Sequence, residues 1–172
     1  MGVKSTDRSQ SNGFRSLAGY IFGGNKKRGS TSAEKIAMTG PVLIDPQASS
    51  IKEPTSATPE TQQTTDESPM TMTFIMPSKY QCLDDLPIPN DSKIKLTQVS
   101  ERTFAAITFS GTASEAKCQE QEDKLKQELK MDRDVKVIDP SAKGIAAFYN
   151  PPWTIPWYRT NEILVPVEYV KQ

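Results

Sequence analysis

Bulky apolar residues recur along the chain in two periods, and the switches between them predict its elements. From Gly13 to Phe22, the residues Phe14, Leu17, Ala18 and Ile21 fall at i, i+3, i+4 and i+7, one face of a helix. Asn12 or Ser11 is placed to cap its start and Gly23-Gly24 to stop it. Lys35 to Ile44 then reads as a strand with Ile36, Met38, Val42 and Ile44 on one face, and Gly40-Pro41 marks a bend, a bulge or a sheet edge. Met70, Met72, Phe74 and Met76 alternate with Thr71, Thr73 and Ile75, a second strand expected to pair with the first. Between the two, from Asp45 to Pro69, Ile51 is the only bulky hydrophobe among Thr, Ser, Pro, Gln and Glu, which predicts a disordered hairpin insertion.

The second half repeats the alternation. A turn-rich loop over Pro77–Ser92 leads to strands at Lys93–Val99 and Arg102–Phe109, joined by a tight Ser100-Glu101 turn. A helix capped by Thr112 or Ser114 runs to Lys130, with Cys118, Leu125 and Leu129 towards a sheet. Its charged remainder, including the i, i+4 pairs Glu120–Lys124 and Glu122–Lys126, reads as a solvated face. Val135–Ile138, Ile145–Tyr149 and Ile163–Glu168 supply the last strands. Hairpins dominate, so the class is α+β: a mostly antiparallel sheet covered by two helices, one in each half of the chain. Residues 1–12 are polar and expected to be a flexible segment, and 13–172 form a single domain.

Before the last strand the chain carries Tyr149-Asn150-Pro151-Pro152-Trp153-Thr154-Ile155-Pro156-Trp157-Tyr158-Arg159-Thr160-Asn161-Glu162, which holds both tryptophans of the protein. Its prolines exclude a helix and predict a stiff loop of amphipathic rings, either the lid of an apolar core or the wall of a ligand pocket.

Composition changes this picture in three places. Lys plus Arg and Asp plus Glu are 21 each, so no global field steers the chain to nucleic acid or an anionic surface. No apolar run approaches the length of a spanning helix. Cys82 and Cys118 are too few for a disulfide scaffold or a thiolate zinc site, which predicts a reducing, cytoplasmic setting; a targeting segment missing from this chain would make it organellar. Met1-Gly2-Val3-Lys4-Ser5-Thr6 fits the short myristoylation pattern, for which a bland flexible terminus is the plainer reading.

Histidine is absent. That removes Ser-His and Cys-His nucleophile pairs, imidazole metal sites and the commonest protein ligand of haem iron. Asp84-Asp85 has no base, metal cluster or nucleophile elbow around it, and Asn25-Lys26-Lys27-Arg28-Gly29-Ser30 lacks the spacing of a phosphate-cradling loop. Neither an enzyme nor a metal site is expected. The methionines of the second strand, with Met38 opposite, read as core packing before thioether ligation, although a methionine face also suits an adaptable apolar pocket.

Three stretches together resemble the SOUL haem-binding family: Gly13–Lys27 running on through Glu34–Val42, then Phe74–Tyr80 with Leu86–Asp91, then Tyr149–Glu162. The resemblance implies a distorted antiparallel β-barrel of two βαββ-like halves with two covering helices, similar to bacterial effector-binding domains. It implies a non-enzymatic carrier or buffer that holds haem or another tetrapyrrole, without a covalent bond, in a hydrophobic groove beside the first helix and the aromatic-proline loop. Carried over residue by residue, the site is Phe14, Leu17, Ala18 and Ile21, with Arg15 as the nearest cation and Trp153, Trp157 and Tyr158 nearby. An interaction module binding a peptide or another apolar molecule in the same groove is the alternative. The family also begins with a strand ahead of the first helix. The residues before Gly13 show no strand pattern, so an open sheet edge or a truncated chain is expected.

Overall fold

The computed structural model describes residues 1–5, 10–46, 70–151 and 153–170. The expected insertion between Asp45 and Pro69 falls, from residue 47 on, outside the described residues. The first unit comprises strand β1 (Gly2–Ser5), helix α1 (Gln10–Ile21), β2 (Asn25–Lys26), β3 (Val42–Asp45), β4 (Thr71–Ile75), β5 (Ile88–Pro89) and β6 (Ile94–Thr97). The second comprises β7 (Thr103–Phe109), α2 (Glu115–Met131), β8 (Val135–Val137), β9 (Ile145–Phe148) and β10 (Asn161–Tyr169). Eight strands form one sheet in the order β6-β1-β4-β3-β9-β10-β7, with β8 beside β10, and every pairing is antiparallel.

That order contains a repeat. Strand, helix and two strands of the first unit align as β1-β4-β3, and those of the second as β7-β10-β9, the two sets meeting where β3 pairs with β9. Each helix covers its own unit. Leu17, Tyr20 and Ile21 of α1 join Val3, Met72 and Phe74 in one core. Leu125 and Leu129 of α2 join Ile163, Val165 and Val167 in the other.

The polar N-terminus is a strand, contrary to the expected flexible segment and open edge. Val3 pairs with Phe74 on one side and Leu96 on the other and is fully buried, so β1 lies inside the sheet. With one bulky residue in Gly2–Ser5, its apolar environment is supplied by β4, β6 and α1 and leaves no alternating pattern to read. Gly2, the residue singled out by the acylation pattern, is paired on both sides, and a Cβ there would stand 2.8 Å from Thr73 Cγ2.

A second correction concerns β6 and β7, which do not form the expected hairpin. They are the two ends of the sheet: β6 pairs with β1 and β7 with β10. Seven flat strands about 4.8 Å apart would separate these ends by about 29 Å. From Thr97 to Thr103 the chain can reach only about 21 Å, so the sheet curls. Among the described residues no strand pairing joins β6 to β7, so the architecture is a curled antiparallel sheet of eight strands with two helices.

The predicted strand over Lys35–Ile44 begins only at Val42. Ile36 donates its N–H to the carbonyl of Ile21 at 2.8 Å, which ties this stretch to the end of α1 instead of the sheet. Asn25, buried beside it, donates to the carbonyls of Tyr20 and Glu34 at 2.6 and 2.8 Å and accepts from Glu34 N–H at 2.9 Å. Gly23, at a φ of +116°, stops α1 as expected. The segment is thus carried past the helix end and presents Met38 beside the sheet.

Candidate functional site

A groove of about 610 Å³ opens where the two units meet. Its floor is a stretch of the sheet: half-buried Val42 and buried Ile44 of β3, buried Met72 of β4 and half-buried Phe148 of β9. These residues occupy adjacent pairs, Val42 against Phe148 and Ile44 against Met72, so one apolar face runs continuously across both units. Phe14 of α1, Met38 and Trp153 form the walls. The volume lies within the roughly 300–1,000 Å³ of small-molecule sites.

The aromatic-proline loop is held in place at the rim by its own hydrogen bonds. Tyr149 N–H donates to Thr160 O, and Thr160 N–H to Asn150 Oδ1 at 2.6 Å. Gly111 N–H reaches Pro156 O at 3.0 Å, which fastens the loop to the end of β7. Asn161, buried at the loop exit, donates to the carbonyls of Phe109 and Gly111 at 3.4 and 3.1 Å. Arg159 also lines the groove; its Nε donates to Thr154 O at 2.7 Å, so the guanidinium is oriented by the loop that carries it.

Two of the eight residues expected at the site line this groove, Phe14 and Trp153. Phe14 is 36% exposed and meets Phe74 edge-on, with ring centroids 5.6 Å apart. Leu17 and Ile21 are buried in the first core, because the apolar stripe of α1 faces β1 and β4 and only its flank reaches the groove. Ala18 is half-buried and does not line it. Arg15 lies instead at a shallow depression with Gly19, Asn90 and Asp91. Trp157 and Tyr158 form a tilted pair, centroids 6.4 Å apart, standing in solvent outside the groove.

Sequence reasoning missed Val42, Ile44, Phe148 and Arg159 as groove residues, and weighed Met38 and Met72 as core packing before an adaptable apolar pocket. Val42, Ile44 and Phe148 were legible as strand-face hydrophobes, but an apolar strand face reads alike whether a helix covers it or a ligand could. Only the pairing of β3 with β9 brings these side chains of the two units around one groove.

The groove's chemistry is that of contact. Its candidate iron-binding atoms are the thioethers of Met38, half-exposed, and Met72, 7% exposed, and the phenol of Tyr149. That phenol donates to Glu162 Oε2 at 2.6 Å. This hydrogen bond, with burial and the Glu162 charge, pushes its pKa up to about 12, so it stays protonated at neutral pH. The Cys118 thiol is also pushed up, by burial and by the Glu115 and Glu122 carboxylates, and it lines a neighbouring cavity of about 390 Å³. No cluster of three or more His, Cys, Asp or Glu fit to hold a metal occurs among the described residues, and no helix among them is long and apolar enough to cross a membrane.

Fold and groove together define a small α+β domain with an apolar, aromatic-walled groove and a cation at its edge. The profile of the SOUL heme-binding protein family matches residues 1–166, and the chain belongs to this family. A comparison with curated protein sequences found no significant match. The family's description as heme-binding agrees with the non-covalent haem or tetrapyrrole cofactor expected from the sequence.

The residues of the groove suit such a group. A tetrapyrrole is a broad apolar disc with anionic edges; Phe14, Phe148 and Trp153 offer rings to its faces, and Met38 and Met72 offer deformable apolar contact. Arg159 supplies a donor fork suited to a carboxylate.

Proposed function

We propose that the protein is a non-enzymatic carrier or buffer of haem or a related tetrapyrrole, held in this groove by shape and apolar contact without a histidine. The observation that carries the reading is the continuous face of Val42, Ile44, Met72 and Phe148, walled by Phe14 and Trp153 and edged by Arg159. Bound haem would supply its own redox and ligand-binding chemistry; the chain's part is to bind it, shield one face and let it go. Phe14, Phe148 and Trp153 would contact the ring and Arg159 a propionate. With no imidazole in the chain, the macrocycle and not its metal contributes most of the binding energy.

The test is a titration with haem followed by the Soret band, repeated with iron-free protoporphyrin. Saturable one-to-one binding of both is expected, weakened by Phe14→Asp and, for the propionates, by Arg159→Gln. Phe14 is the informative position on α1, because an acidic residue at buried Ile21 would disrupt the core before it reported on a ligand. Absence of binding at micromolar protein would overturn this reading and leave a module for a peptide or another apolar molecule.

A further inference from the structure

The loop that rims the groove turns several of its largest apolar side chains outward. Trp153 is 84% exposed, Trp157 70%, Tyr158 71% and Ile155 48%. Single exposed hydrophobes are ordinary, but four within six residues form a patch of the kind that marks a binding surface. Met38, 50% exposed, shares the groove mouth with Trp153 and extends the patch around it.

We propose that this loop docks the protein on a phospholipid bilayer, with Trp153, Ile155, Trp157 and Tyr158 entering the headgroup region. Bound there, the groove mouth faces the phase from which an apolar macrocycle is taken up or into which it is released; this last step rests on the tetrapyrrole reading.

The chemistry of the loop selects this partner. Tryptophan and tyrosine settle at the membrane–water interface because each joins a large apolar ring to one polar group. From Tyr149 to Asn161 there is no carboxylate to repel lipid phosphates, and the one charged side chain is the cation Arg159. A backbone entering an interface must not strand its donors. Pro151 and Pro156 have none, while Thr154, Tyr158 and Arg159 donate theirs to loop carbonyls at 2.9–3.0 Å. The same bonds fix the loop backbone before any membrane is met, so docking orders little further chain.

Both tryptophans of the chain lie in this loop, so intrinsic tryptophan fluorescence reports on it alone. The experiment mixes the full chain with vesicles of phosphatidylcholine and phosphatidylserine. It reads co-sedimentation, tryptophan emission and quenching by acyl-brominated lipid. Co-sedimentation is expected, with emission shifted to shorter wavelength and quenched. Trp157→Ser combined with Tyr158→Ser should lower the partition constant by about tenfold or more. Both positions are solvent-exposed and outside the groove lining, so the double variant should fold and bind haem in vesicle-free buffer unchanged. The proposal is overturned if the chain does not sediment with vesicles, or if the double variant sediments as well as the parent. It is also overturned if the emission is already blue-shifted without lipid in a concentration-dependent dimer. Vesicle binding without haem binding in solution would overturn the ligand reading and not the loop; haem binding without vesicle binding would overturn the loop alone.

Discussion

Phe14 and Ile21, on one helical face by sequence, have different fates. Ile21 is 1% exposed and part of a core, whereas Phe14 rests edge-on against Phe74 and keeps its other side towards the groove. Phe14→Ala should therefore weaken haem binding by about tenfold, equivalent to roughly 1.4 kcal/mol, while the lost ring contact costs about 1 kcal/mol of stability. A haem titration beside a urea melt separates the two effects. Glu34 offers a pH-dependent test elsewhere. Its carboxyl accepts from Lys79 Nζ at 3.0 Å and from Tyr80 Oη at 2.9 Å, and these hydrogen bonds hold its pKa below the ordinary 4.5. The folded value being the lower, this contribution is present above the unfolded pKa and is lost as pH falls through the folded one. Because solvent screens the pair, Glu34→Gln should cost only about 0.5 kcal/mol at neutral pH. The difference from the parent should vanish in acid, as urea midpoints at the two pH values would show.

At the scale of elements, period decided what could be read. Both helices declare themselves, α1 through Phe14, Leu17, Ala18 and Ile21, and α2 through Leu125 and Leu129 with Ser114 as the cap, whose hydroxyl accepts from Lys117 N–H. The β3–β4 pair is likewise legible from the methionine alternation. Strand β1 is not, since a strand paired on both sides and buried by its neighbours needs few hydrophobes of its own. Val3→Asp should abolish cooperative folding, because the charge would enter a fully buried site; a urea melt without a sigmoidal transition is the expected record. The charged side of α2 was misread in one respect. Glu122 is buried and pairs with Lys126 at 2.8 Å, and Lys126 also donates to the carbonyls of Pro140 and Ala142, fastening the turn before β9. Spacing foretold the pair but not its burial, which follows from Gly144: a Cβ there would stand 2.7 Å from Ile163 Cγ2 and 3.4 Å from the Glu122 carboxyl. Lys126→Met, which strands the carboxylate, should cost about 3 kcal/mol, and Gly144→Ala about 2 kcal/mol by overpacking. Shifts in the urea midpoint check both.

At the scale of the molecule, the two units meet edge to edge at β3 and β9, and the groove lies on that junction. The first unit contributes α1, β3 and β4; the second contributes β9, the aromatic-proline loop and Arg159. A site shared between units explains why the sequence disclosed only its rim. The loop and Phe14 stand out by composition and position, whereas the floor is made of ordinary strand hydrophobes that become a site only when the two four-stranded halves of the sheet are joined. A tetrapyrrole bound in this seam would be reported by the two tryptophans, which stand on different sides of its edge. Trp153 lines the groove and Trp157 stands outside it. An NMR titration with diamagnetic, iron-free protoporphyrin should shift the Trp153 indole N–H strongly, together with amides of Phe14 and Phe148, and move the Trp157 indole much less. Shifts centred on Arg15, Gly19 and Asn90, or equal displacement of both indoles with α1 and β9 unperturbed, would contradict it.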